Sequence, residues 1–385
     1  MMIWLNYLHK RFVLSGKLKR LIEESALKGL TYNPGALEKM IRTTPEYDKI
    51  IMGMVRSGKS IENIIMSLCL GDVRRAANQF IFVCRKSKGS EGLISMGVSS
   101  ALYGSTENIL EEARFLWKEL NHKNVLIDVP AAKNCLPAIE QLWTEGISVK
   151  VSSPFSFQRY RELAESYLAA LEKRAEKREP LDKFVSFVSF NIRAIDQQAN
   201  LFLDELIGKE SHLSDVARQM YGKTGYTMAW MFYHIQQEIF SGPRFQALAK
   251  KGARIQQLIW DYGGPEMQYP QELEMIRSLG AAGAGAILSG ELFNEYHLMP
   301  ETGKQEPESL SMVKWRMYQL EQILGLDIQE LEKALEKENH HPFNLYNPSM
   351  MRTLDLKIRS LLEGNLEKKG VLDIKPPLIN IPVLS

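Results

Sequence analysis

The chain is 385 residues long, 45% hydrophobic and 24% charged, with a formal net charge of +2. That balance suits a globular protein large enough for one big α/β barrel or two modest domains, and it gives no electrostatic reason to expect a nucleic-acid partner. No segment approaches the ~20 apolar residues of a membrane span, and the opening MMIWLNYLHKRF lacks the apolar length and cleavage site of a secretory signal, so no membrane association and a cytoplasmic location are expected.

In chain order, IWLNYL at residues 3–8 reads as a short strand and residues 15–28 as a helix leading into GLTYNPGALEKMI. GMVRSGKS at residues 53–60 matches the letters of a phosphate-binding loop. Such a loop needs a buried strand before its first glycine and a helix opening at its lysine. The preceding YDKIIMGMV has helical spacing instead. Gly58 therefore reads as a helix C-cap and Ser60 as the cap of the next helix. Residues 61–85 read as one helix, GLISMGVSS from Gly92 as a strand, and residues 106–120 as an amphipathic helix.

The stretch 124–174 carries the clearest pattern. An apolar run at 125–129 is interrupted by Asp128; Leu136, Ile139, Leu142 and Trp143 then recur at helical spacing until Gly146. A second strand spans 147–152 and an amphipathic helix 157–174. Strand–helix–strand–helix with short joins is the unit of a parallel sheet. Parallel strands are buried on both faces, so a polar side chain inside one needs a reason. Asp128 and Lys150 are two such side chains on consecutive strands.

Beyond Pro180, FVSFVSFNIRAID reads as a strand running into a helix, and residues 199–241 as helical with a core stripe of Met228, Phe232 and Ile235. GARIQQLIWDYGG, from Gly252, is a further strand, and AAGAGAILS at 281–289 is the eighth by position. A helix at 312–324 and the segment LDIQELEKALEKENHHPF precede VLDIKPPLINIPVLS, whose prolines predict an extended tail. Cys69, Cys84 and Cys135 show no CxxC spacing and read as reduced structural thiols. His340 and His341 are adjacent, but no pattern completes a metal site, so neither metal nor cofactor is expected.

Several of these motifs resemble transaldolases of the longer bacterial type. The segment 124–160 is similar to the family's N-V-M-I-K-I-P-A-T…G-L-P-A-I…G-I-N-V-N-V-T-L-x-F-S…R-Y, matching at Asn124, Ile127, Pro130, Ala131, Gly146, Ile147, Val149, Val151, Phe155, Ser156, Arg159 and Tyr160. GLTYNP resembles G-V-T-S-N-P, with Thr31, Asn33 and Pro34 in common, and Asn33 corresponds to the family's substrate-contacting asparagine. DVRRAANQF resembles D-V-R-x-A-A-D, and GARIQQLIW resembles G-A-R-x-Q-R-x-L-W. The resemblance covers about nine-tenths of the chain by this reading. It implies a (β/α)8 TIM barrel of the class I aldolase/transaldolase type with extra helices over residues 1–370, followed by the tail at 371–385. It places the active centre at the C-terminal ends of the strands.

Departures from the family pattern gather at that centre. The resemblance puts the family's catalytic aspartate on Asn6, its glutamate on Gly97, its Schiff-base lysine on Asp128 and its threonine on Ser152. The phosphate-binding arginine falls on Ala194, and Arg193, one place early, is rotated by ~100° on a helix. The phosphate-side serine falls on Tyr262. Random drift would have damaged scaffold motifs as well, so the pattern suggests a change of job.

Asp128 cannot form a Schiff base, which needs a neutral amine. Lys150 shares a strand face with Ser152, because side chains alternate along a strand. If Asp128 and Lys150 are neighbours, an ion pair is the obvious outcome, and a carboxylate partner opposes nucleophilic use of the amine. Alternatively Asp128 is a general acid or base in an apolar pocket lined from Tyr32, Met96, Phe155, Phe187 or Phe190, and Tyr262. Asp128, Lys150, Ser152 and Asn6 are the candidate catalytic residues. Thr31, Tyr32, Asn33, Met96, Phe155, Ser189 and Tyr262 are the candidate substrate contacts. The expected function is a repurposed enzyme doing isomerase, cyclase or lyase chemistry in a specialised biosynthetic pathway. Its substrate would be a small, unphosphorylated or hydrophobic molecule, and proton-initiated isoprenoid cyclisation is one form. Two alternatives stay open: a catalytically silent binding protein, and a transaldolase or aldolase using Lys150 as a relocated Schiff-base lysine. A homodimer is compatible with all three.

Overall fold

Short apolar strands alternate with helices that each carry one apolar stripe, and such units bury both only by wrapping helices around a parallel sheet. In the computed structural model the strands are β1 (Met2–Leu5), β2 (Gly29–Thr31), β3 (Leu93–Gly97), β4 (Val125–Pro130), β5 (Val149–Ser152), β6 (Ser186–Asn191), β7 (Gln257–Tyr262) and β8 (Gly285–Leu288). They pair in sequence order, β8 pairs back to β1, and every pairing is parallel. This is the expected (β/α)8 barrel. The structure describes residues 1–24, 26–99, 102, 104–209, 212–263, 271–299, 305–338 and 343–366; the expected tail at 371–385 and the pair His340 and His341 lie outside them.

Register decides which side chains look inward, because paired residues of parallel strands share a face. One continuous set links Trp4 with Gly29 and Ile287, Thr31 with Ser95, Gly97 with Asp128, Asp128 with Lys150, Lys150 with Phe187, Ser152 with Ser189, and Asp261 with Ile287. Trp4, Leu93, Leu126, Phe187, Ile259 and Ile287 form an apolar cluster separate from the main core, and the Trp4 and Phe187 rings lie 5.4 Å apart. These side chains fill the barrel as a floor. Gly29 admits the indole: a Cβ there would lie 2.5 Å from Trp4. The larger core lies outside the sheet, between strands and helices.

Several expected boundaries shift. The helix expected at 15–28 is shorter, Lys17–Glu23, and a separate helix, Lys10–Leu14, precedes it across Gly16 at φ +79°. The strand expected from Gly252 begins at Gln257. The helix expected to 324 ends at Tyr318 and continues as a π-helical turn, Gln319–Ile323. The phosphate-loop letters carry no such loop. A helix, Asp48–Arg56, runs into them, Gly58 sits at φ +73°, and Ser60 accepts from Asn63 N–H at 3.3 Å to cap helix Ile61–Lys86. The three cysteines are free and buried.

Candidate active site

β4 and β5 bring Asp128 and Lys150 side by side, as the register requires. Lys150 Nζ lies 2.7 Å from Asp128 Oδ2, with the two side chains 2% and 13% exposed. Lys150 is the only lysine among the buried described residues. Asp128 Oδ1 is buried with no hydrogen-bond partner. The pair is thus closed on one oxygen and open on the other.

A third charge stands on the same inward face. Asp261 of β7 is in register with Asn191 and Ile287. Its Oδ1 accepts the Gly263 N–H at 2.8 Å. Burial pushes the Asp261 carboxyl up, the Lys150 ammonium and the Gly263 N–H oppose that, and the Asp128 charge reinforces it. Two carboxylates therefore share the field of one ammonium. Asn6 joins them by donating from Nδ2 to Gly263 O at 3.3 Å.

The rest of the inward surface is polar toward the mouth. Ser95 donates to Thr31 Oγ1 at 3.2 Å. Ser152 and Ser189 face each other in register, and Ser189 Oγ is buried without a partner. Asn33 caps helix Pro34–Thr43 by accepting Gly35 N–H at 2.9 Å, which orients its amide at the edge of the mouth.

Four expected substrate contacts are corrected. Tyr32, Met96, Phe155 and Tyr262 belong to the outer core between sheet and helices. Met96 lies between inward Ser95 and Gly97, and Tyr262 follows inward Asp261, so the period of two turns both side chains away from the barrel. The Tyr32 hydroxyl donates to Cys69 Sγ at 3.0 Å, and Phe155 is 2% exposed. Phe190 stacks on Phe232 of helix Thr224–Phe240 with centroids 4.0 Å apart, so it too faces outward. Phe187 alone of the expected aromatic lining is inside, in the floor. Arg193 does not stand in for the residue at 194: its guanidinium is held by Glu272, Nε to Oε1 at 2.7 Å and Nη2 to Oε2 at 3.1 Å.

Two residues at the inward face are outside the candidate site set: Asp261 of β7, and Phe343, whose ring meets Gly97 while also packing against the outer core at the rim. Alternation along QLIWDY puts Gln257, Ile259 and Asp261 on one face, a signal present in the sequence. Nothing in the sequence points Phe343 toward the barrel. Among the described residues no cluster of three or more His, Cys, Asp or Glu side chains is arranged to hold a metal ion, and no helix is long and apolar enough to cross a membrane.

The comparisons agree with this architecture. The family model Transaldolase/Fructose-6-phosphate aldolase matches residues 12–239. A transaldolase of Mycobacterium leprae (strain Br4923) is 33% identical over 259 residues, 67% of this chain and 68% of its own. A transaldolase of Trichodesmium erythraeum (strain IMS101) is 33% identical over 260 residues, again 67% and 68%. One of Arthrobacter sp. (strain FB24) is 33% identical over 272 residues, 70% and 72%. With the barrel and this extent of similarity together, the chain belongs to the transaldolase/fructose-6-phosphate aldolase family.

Proposed function

We propose that this chain is a family member diverted from Schiff-base chemistry to proton transfer on a small, unphosphorylated or hydrophobic substrate, acting in the cytoplasm. The reading rests on one observation: the buried lysine of the barrel donates to Asp128 at 2.7 Å. A Schiff-base lysine must have its amine free to attack a carbonyl, and this Nζ is spent on a carboxylate. The resemblance assigns the family's lysine to Asp128, and Arg193 is committed to Glu272. Among the described residues the positions the family uses then offer neither a free amine nor an arginine for a phosphate dianion.

What remains is an acid–base set. Asp128 is paired with Lys150, and Asp261 is raised by burial. A carboxylate with a spare acceptor and a second carboxyl raised by burial can divide the roles of proton acceptor and donor. Lys150, Ser152, Ser189 and Asn6 then position the substrate. Isomerisation, cyclisation and lyase chemistry all use such a set, and proton-initiated cyclisation of an isoprenoid-like chain is the form that best uses the apolar floor.

Two further readings each have one supporting observation. The Asp128–Lys150 contact, which occupies the one buried lysine among the described residues, favours a silent binding protein. The inward placement of Lys150 favours a relocated Schiff base, but its carboxylate partner opposes it. A coupled assay of transaldol transfer from fructose 6-phosphate separates them. No transfer is expected from the purified chain. Sustained transfer that disappears in Lys150→Met would overturn the proton-transfer reading. Once a substrate is in hand, Asp128→Asn is expected to lose at least about a hundredfold in turnover.

A further inference from the structure

Two inward glycines each carry an aromatic ring. At Gly29 the ring is Trp4, in the floor. At Gly97 it is Phe343, brought from the far end of the chain: a Cβ on Gly97 would lie 2.5 Å from its Cγ and 2.7 Å from its Cδ1. Gly97 is the register partner of Asp128, so the ring stands over the same inward face.

The segment after Phe343 anchors the ring. Asn344 Oδ1 accepts Tyr346 N–H at 3.1 Å, and Leu345 is 1% exposed. Asn347 Oδ1 accepts Met350 N–H at 2.9 Å at the start of helix Pro348–Leu366. That helix is tied to the barrel's outer helices by Ser349 and Thr353 donating to Glu38 at 2.6 and 3.2 Å, and by Lys357 against Asp48 at 2.9 Å. Phe343 also lies 6.3 Å, centroid to centroid, from Tyr32. Its own side chain is only half-buried. A preorganised ring that keeps a free surface next to a half-engaged carboxylate is a contact surface, not filler.

We propose that Phe343 is the specificity-determining wall of the barrel mouth, selecting substrates that carry an apolar, unsaturated group beside the atom protonated there. This rests on the proton-transfer reading above and names the substrate class for that site. A ring offers a hydroxyl no hydrogen bond and excludes the water that would solvate one, which disfavours a polyol. Its π-face gives an alkene dispersion contact and attracts positive charge developing on carbon.

The test is binding, so it does not depend on turnover. The full chain is titrated with prenol, geraniol and farnesol, and with fructose as the polyol, following tryptophan fluorescence and saturation-transfer NMR. Wild type is expected to bind at least one of the alcohols and to reject fructose at matched concentration. Phe343→Ser should weaken that alcohol about tenfold and Phe343→Leu much less. Gly97→Ala should weaken it as well, and should add little to Phe343→Ser because both disturb one contact. Thermal melts confirm folding, and Phe343→Leu keeps the test open if the serine variant fails to fold. Binding of fructose but no alcohol, no binding of either, or equal alcohol affinity in wild type and Phe343→Ser overturns the proposal. Alcohol binding that depends on Phe343 without any turnover would count against the proton-transfer reading alone.

Discussion

Lys150–Asp128 and Arg193–Glu272 are both buried ion pairs, and each has a contact of 2.7 Å. Arg193 and Glu272 are 5% and 2% exposed, meet through two hydrogen bonds that leave only Arg193 Nη1 of the guanidinium unpartnered, and join helix Ile192–Gly208 to helix Glu272–Leu279 outside the sheet. Lys150 and Asp128 meet through one contact inside the barrel, and Asp128 stays 13% exposed with Oδ1 unpartnered. A forked, sealed pair holds two elements in place. A single contact with a spare acceptor at a barrel mouth is what the proposed proton-transfer role requires. Burial alone therefore does not separate scaffold from site here; the number of engaged atoms and the face they lie on do.

The sealed pair should be the costlier to break. Arg193→Met leaves Glu272 charged and buried and is expected to destabilise by about 3–5 kcal/mol in urea unfolding. Lys150→Met should cost less, about 2–3 kcal/mol, because the mouth admits water to Asp128, and adding Asp128→Leu should recover most of it. A larger loss at Lys150 than at Arg193 would break the contrast.

A pH measurement sharpens the structural side. Burial raises the carboxyl of Asp196 to about 7, against opposing hydrogen bonds from Gly225 and Thr224 N–H, with Glu272 adding repulsion. The folded value lies above the unfolded one, so the native state binds the extra proton. Stability from this group is therefore present at low pH and falls as pH rises from the unfolded value, near 4, through about 7. Asp196→Asn should flatten the wild-type slope by on the order of 2 kcal/mol between about pH 5 and pH 7. Identical slopes in the two proteins would contradict this account of the buried cluster.

Gly97→Ala is expected to have the smallest effect on stability. Its Cβ would strike Phe343, at a cost of about 1–2 kcal/mol, relieved by adding Phe343→Ala. An alanine tolerated without loss would show that the ring does not rest on Gly97.

The barrel and its ion pair are legible in the sequence for a physical reason. Asp128 and Lys150 interrupt apolar strands, and polar groups there must meet each other or a ligand. The expected aromatic lining fails because nearness to a site residue in sequence is not nearness in space. Met96 and Tyr262 each follow an inward residue, and a period of two turns them to the helix layer. The same alternation points to Asp261. Phe343 is not legible, because it reaches Gly97 through a long-range packing choice that leaves no local periodicity. For Arg193, rotation on a helix already argues against a phosphate grip, and its engagement with Glu272 supplies the positive reason.

The most direct test concerns Lys150 itself. The chain is incubated with dihydroxyacetone or fructose 6-phosphate, reduced with borohydride, digested, and its peptides are weighed. Lys150 held by Asp128 should carry no reduced adduct. A stable adduct on the Lys150 peptide would show that the amine is a nucleophile after all and would contradict the account.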